Sequence, residues 1–188
     1  LPQDGSNRDG LMLGALRTPP EFNNTMVTNP DGSQHRYAGY DNPLWSVENN
    51  KFNTTIERFV HSTQASLTIE WLSVNGGIGI DRYSQLNTER LAVGSRGSDN
   101  QLGKIEQVRL QSSNINFDLN ATATMNPSED IVSQLVLGTQ TIWSTGSATS
   151  ATSTTTLPFY DQISAGASKD ASSSRSETKL IGLFAQLT

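Results

Sequence analysis

The chain of 188 residues combines 34% hydrophobic with only 16% charged residues and a net charge of -5. That is too little apolar mass for an ordinary packed soluble domain, yet too mild a charge for a disordered one. The acidic balance, pI about 4.9, argues against a nucleic-acid partner, and the absence of cysteine excludes disulfides and thiolate chemistry. The difference is made up by Ser, Thr, Asn, Gln and Gly, which suits β-structure with one wet face.

Residues 1–53 are rich in turn formers: Pro2, Asp4-Gly5, Asp9-Gly10, Pro19-Pro20, Asn29-Pro30-Asp31-Gly32 and Asn42-Pro43. Only Leu11 to Leu16 reads as a short strand; adjacent prolines, lacking amide donors, keep Pro19-Pro20 out of any sheet. The region is expected to be loop of an extracellular type. From about Thr54 the pattern becomes period two. Phe59, Ala65, Leu67, Ile69 and Trp71 share one parity, and Arg58, Ser62, Gln64, Ser66 and Thr68 the other. A tight connection at 70–73 leads to Val74, Gly76, Ile78 and Ile80 on one face, with Ser73, Asn75, Asp81 and Tyr83 opposite.

A polar loop is expected over 87–103. The next stretch alternates without exception: Ile115, Phe117, Leu119, Ala121, Ala123 and Met125 against Asn114, Asn116, Asp118, Asn120, Thr122 and Thr124. After a turn at 126–130, Ile131, Leu135, Leu137 and Trp143 lead back. A Ser/Thr/Ala/Gly tract from Ser144 opens a long loop to 177, and Ile181, Leu183, Ala185 and Leu187 mark a last strand. Five antiparallel strands are thus expected, at roughly 54–70, 73–86, 104–125, 131–143 and 178–188.

These strands exceed the five or so residues usual in globular sheets, and the connections alternate short and long. Tilted strands crossing a bilayer produce that pattern, with Trp71, Tyr83 and Trp143 near the interfaces. The expectation is all-β, a partial transmembrane β-barrel. Five strands cannot close a water-filled barrel, and both ends of the sequence read as cut, so the chain is expected to be part of a longer one. The rival architecture is a secreted or surface β-sandwich that binds glycan or acts as an adhesin; a passive porin-like barrel is a third.

Several ordered motifs resemble SusC/RagA TonB-linked outer-membrane proteins. They are Leu16-Arg17-Thr18-Pro19-Pro20-Glu21-Phe22-Asn23-Asn24, then Asp31-Gly32-Ser33-Gln34-His35-Arg36-Tyr37, then Tyr40-Asp41-Asn42-Pro43-Leu44-Trp45, then Asn49-Asn50-Lys51-Phe52-Asn53. Gly76-Gly77-Ile78-Gly79-Ile80-Asp81, Leu135-Val136-Leu137-Gly138 and the closing Leu180 to Leu187 are similar too. The resemblance implies a stretch of a plugged barrel of about 22 strands. It also implies bacterial outer-membrane localisation, import of glycans or peptides powered through the TonB complex, and a SusD-like lipoprotein lid. No plug domain or TonB box is contained in the sequence.

No catalysis, cofactor or metal is expected. Gly76-Gly77-Ile78-Gly79 lacks the third glycine and helix of a dinucleotide fingerprint. His35 and His61 have no carboxylate at ligand spacing, and Glu129-Asp130 are neighbours in a turn rather than carboxylates facing each other across a substrate. Asp118, with Asn114, Asn116 and Asn120, is expected to face a polar lumen. The candidate ligand contacts are the loop aromatics Tyr37, Tyr40 and Trp45, whose faces suit sugar rings.

Overall fold

The computed structural model describes residues 10–128, 130–158 and 160–188; the expected turns at Pro2, Asp4-Gly5 and Asp9, and Glu129, lie outside them. Two short helices, α1 (Leu11–Arg17) and α2 (Pro43–Asn49), precede five strands: β1 (Lys51–Ile69), β2 (Leu72–Val93), β3 (Leu102–Ser128), β4 (Ile131–Thr156) and β5 (Gly166–Leu187). The strands form a single sheet in sequence order. The expected all-β antiparallel fold is present, consistent with a β-barrel fragment.

The strands are 19, 22, 27, 26 and 22 residues long. A tilted strand needs only about 9–11 residues to cross a hydrocarbon core, so each is about twice that length. The excess accounts for the main departure from the expected boundaries. The Ser144–Thr156 tract, read as loop, is strand. Threonine is β-branched and fits an extended backbone, whereas uniform polarity on both faces hides the period. The expected loops over 87–103 and 144–177 shrink to residues 94–101 and 157–165.

The strand expected at Leu11–Leu16 is instead α1. Its apolar residues occupy both parities, and Leu, Met and Ala favour helix. The helix stops where Thr18, extended at ψ 125 as the residue before a proline must be, precedes Pro19; Thr18 Oγ1 donates to the Gly14 carbonyl at 2.6 Å. Helix α2 starts at what reads as a turn, because Asn42-Pro43 is an N-cap followed by proline at N1.

The chain divides into two compact units: Leu1–Thr55, Gln85–Arg109 and Thr149–Ser173, and Ile56–Ser84, Leu110–Ala148 and Ser174–Thr188. All the buried hydrophobic side chains among the described residues, Trp45, Leu91, Ala92 and Ile105, belong to the first.

The second unit has no such core. Its faces follow the expected parities: Arg58 pairs with Asp81, Asn75 with Asn120, and Gly76 lies against Leu119 on the other side. Yet the apolar row is not covered by a second layer. Phe117 is 41% exposed, Leu119 40% and Met125 45%. A sandwich would bury these side chains against an opposing sheet, and the described residues contain only one sheet.

Candidate functional site

In the first unit the 10–50 segment is organised by two adjacent buried side chains. Asn42 Nδ2 donates to the carbonyls of Asn24 (3.0 Å), Met26 (3.2 Å) and His35 (2.9 Å), while its Oδ1 accepts from the amides of Leu44 and Trp45. One asparagine thereby caps α2 and gathers three loop carbonyls. Asp41, fully enclosed, accepts from Ser95 Oγ (2.7 Å) and the Arg96 amide (2.9 Å). Asn50 repeats the device, accepting from the Ala92 amide at 2.9 Å. A buried carboxylate persists only where donors answer it, and here backbone and hydroxyl donors do.

The Asn29-Pro30-Asp31-Gly32 turn closes with the Gly32 amide on the Asn29 carbonyl at 2.9 Å, Gly32 taking the left-handed φ of 81°. Ser33 donates twice to Asp31, through its hydroxyl at 2.6 Å and its amide at 2.9 Å. These bonds hold the Asp31 carboxyl below its ordinary range. His35, leaving the turn, stacks on Phe22 with centroids 4.5 Å apart, and its Nδ1 meets Asn29 Oδ1 at 2.9 Å.

The three candidate aromatics do not form one platform. Tyr37 is 42% exposed and meets Phe22 edge-on; Tyr40 is half-buried. Trp45 is only 7% exposed and rests against Gly94, where a Cβ would sit 3.6 Å from the indole. The indole therefore buttresses the loop and shows only a margin to a cleft of about 500 Å³, whose walls include Asn29, Gln34, Arg36, Val93 and Gly94. Arg36 is the cation of that cleft. Its Nη1 donates to Gln34 Oε1 and the Gly94 carbonyl, and its Nη2 to Gln101 Oε1 at 2.9 Å. Sequence reading placed Arg36, Asp41, Asn42 and Asn50 within the family-like motifs but gave none of them a role; the N-cap pattern of Asn42-Pro43 was the one available signal.

In the second unit a larger cleft, about 630 Å³, is lined among others by Arg58, Tyr83, Ser112 and Gly146. Arg58 grips Asp81 with two nitrogens, at 3.0 and 2.7 Å. The expected polar row is present: Asn75 Nδ2 donates to Asn120 Oδ1 at 3.3 Å, and Gly77 leaves room for the Asp118 carboxylate. His61 stacks on Phe59 and meets Thr63 Oγ1 at 2.8 Å. No cluster of three His, Asp or Glu side chains that could hold a metal ion occurs among the described residues.

Neither a protein-family model nor a curated protein matches the sequence. The fold, however, matches solved structures of the RagAB peptide importer. The importer in its closed-closed state superposes with a TM-score of 0.67 at 14% identity, over 79% of this chain and 17% of that one. A structure described as the RagAB peptide transporter gives the same figures, and the open-open state gives 0.66 at 13%. The likeness is one of fold. The chain spans about a sixth of the length of the importer chains it matches.

Proposed function

We propose that this chain is wall and outer loop of a SusC/RagA-type, TonB-dependent receptor that imports nutrients, glycans or peptides, across a bacterial outer membrane. The observation that carries the reading is the uncovered apolar row. Phe117, Leu119 and Met125 share one parity of β3, a strand of 27 residues in a single sheet, and stand 40% exposed or more, opposite the polar parity that runs from Asn114 to Thr124. Lipid is the solvent that such a row fits, and strand pairing around a closed ring is what satisfies the backbone there. The likeness in fold to a peptide importer supports the same assignment and makes peptides the first substrate class to try.

In this reading the rest of the barrel pairs with β1 and β5, a plug outside this sequence couples to the TonB complex, and a SusD-like lipoprotein covers the outer loops. Exposed Tyr37 and neighbouring Tyr40 are the aromatic side chains offered to substrate. The chain performs no catalysis.

The test is fractionation of the native cells with an antibody to this chain, joined to growth of a disruption strain on peptides or on glycans as the limiting nutrient. The expected result is an alkali-resistant outer-membrane band with heat-modifiable mobility, and a growth defect on one nutrient class. Recovery of the protein in the soluble fraction would overturn the proposal.

A further inference from the structure

The cleft beside Trp45 differs chemically from the other surfaces of the first unit. Besides Asn29, Gln34, Arg36, Trp45, Val93 and Gly94, its walls hold glycine, serine, alanine and histidine, and no carboxylate at all. Arg36 has five N–H donors, of which three are engaged with Gln34, Gly94 and Gln101. Two guanidinium donors are therefore left over. Gln34, 8% exposed, holds beside them an enclosed amide Nε2 that has no acceptor in the protein.

The charge balance has the same sign. Asp41 lies 4.0 Å from Arg36, but its oxygens are already bound by Ser95 and the Arg96 amide. Burial, then repulsion from Arg96, lowers the Arg36 pKa, and Asp41 only partly offsets them. Arg96 thus repels Arg36 while the one buried carboxylate near it is occupied elsewhere; the exposed Asp31 stands outside the walls, held by Ser33. Alongside, Val93 is 41% exposed and supplies an apolar wall next to the cation.

We infer that this cleft is a binding site for a carboxylate attached to an apolar group, with Arg36 as its anchor and Val93 and the Trp45 margin as its apolar side. An arginine fork with free donors suits a carboxylate, and a half-enclosed site strengthens the contact relative to open water. Two kinds of nutrient carry a carboxylate beside an apolar surface: a peptide through a C-terminal residue with an apolar side chain, and an acidic oligosaccharide through a uronate, whose ring offers a C–H face. The inference rests on the import reading only for the ligand being a nutrient; binding itself is measured apart from transport.

Ala38 gives the test. It lines the cleft, is exposed and holds a left-handed φ of 51°. Asparagine and aspartate are the non-glycine residues that best tolerate that backbone, so neither should disturb the loop. Ala38→Asp puts a negative charge at the rim, and Ala38→Asn is its neutral control. The purified full-length receptor is titrated calorimetrically, at low salt, with an N-acetylated tripeptide ending in leucine, with its C-terminal amide, and with trigalacturonate.

The expected result is binding of at least one of the two acids. Their affinity falls about tenfold or more in Ala38→Asp but not in Ala38→Asn, with a parallel loss in high salt. If the tripeptide acid is bound, its amide binds about tenfold more weakly. Failure of both acids to bind, equal binding of tripeptide acid and amide, or equal affinities in the two variants would overturn the inference. Any of these outcomes in a receptor that still fractionates with the outer membrane removes the site and leaves the import reading standing. A soluble receptor that still shows the charge-dependent binding does the reverse.

Discussion

Asn42 offers the sharpest perturbation, because two functions of one side chain can be separated by two substitutions. Asn42→Ala removes the α2 cap and leaves the carbonyls of Asn24, Met26 and His35 without their donor. Loss of an N-cap costs about 1 kcal/mol, and an orphaned buried polar group about 1–3 kcal/mol, so about 3 kcal/mol is the central expectation. That magnitude raises the open population of the 24–50 segment about 100-fold. Asn42→Asp keeps an acceptor for the Leu44 and Trp45 amides but has no donor for the three carbonyls, and it sets a second carboxylate beside Asp41. If gathering the carbonyls dominates, Asn42→Asp is at least as damaging as Asn42→Ala; if capping dominates, the retained cap makes it the milder of the two. The assay is limited proteolysis of the purified full-length protein, with cleavage within 24–50 followed over time. An Asn42→Ala protein cleaved within about twofold of the native rate would refute the assignment of Asn42 as organiser of the loop.

Three further outcomes are expected. Leu119→Arg, on the uncovered row, costs about 2–4 kcal/mol if the residue sits near the bilayer midplane. Folded, heat-modifiable protein should then fall, while Asn116→Arg, of opposite parity, leaves it unchanged. A Cβ at Gly138 would overlap the Phe184 ring, so Gly138→Ala should destabilise by about 1–3 kcal/mol through overpacking. The penalty should shrink in a Phe184→Ala background, as read by the temperature at which the folded band is lost. Asp31 contributes through an ionised carboxyl held by Ser33, so its folded pKa lies below its unfolded one. The contribution is therefore complete above the ordinary aspartate value and disappears as the pH falls through the lower, folded value. Pepsin cleavage within 28–36 should rise over that interval in the native protein, and the rise should vanish in Asp31→Asn.

How far the fold could be read depended on what each strand segment faces. Between Asn114 and Met125 one side of β3 is polar and the other apolar, so the residues alternate and the pattern states the structure. Between Ser144 and Thr156 no such contrast exists. Ser, Thr, Ala and Gly occupy both parities, and the same composition describes a loop or a strand wet on both sides. In α1 the ambiguity is reversed, because Leu11, Met12, Leu13, Ala15 and Leu16 are apolar at every phase. The loop site was opaque for another reason. Aromatic residues announce themselves as ligand contacts, but the position of Trp45 depends on Gly94, and the role of Asp41 on Ser95, far along the chain. Long-range hydrogen bonds leave no local periodicity.

The fastenings between the 36–50 segment and residues 92–101 bear on how the chain assembles. Asp41 and Ser95 are 54 positions apart, Asn50 and Ala92 are 42 apart, and Arg36 and Gln101 are 65 apart. None can form until the β1–β2 hairpin has brought its open end together, so the loop must order late. At that end the buried bonds of Asp41 and Asn50 demand one alignment: a shifted β2 would present the wrong amides and strand a buried carboxylate. The 36–50 segment therefore acts as a proofreading key for strand pairing. Substitutions that adapt the surface around Tyr37 and Ala38 can vary freely only while that key stays intact.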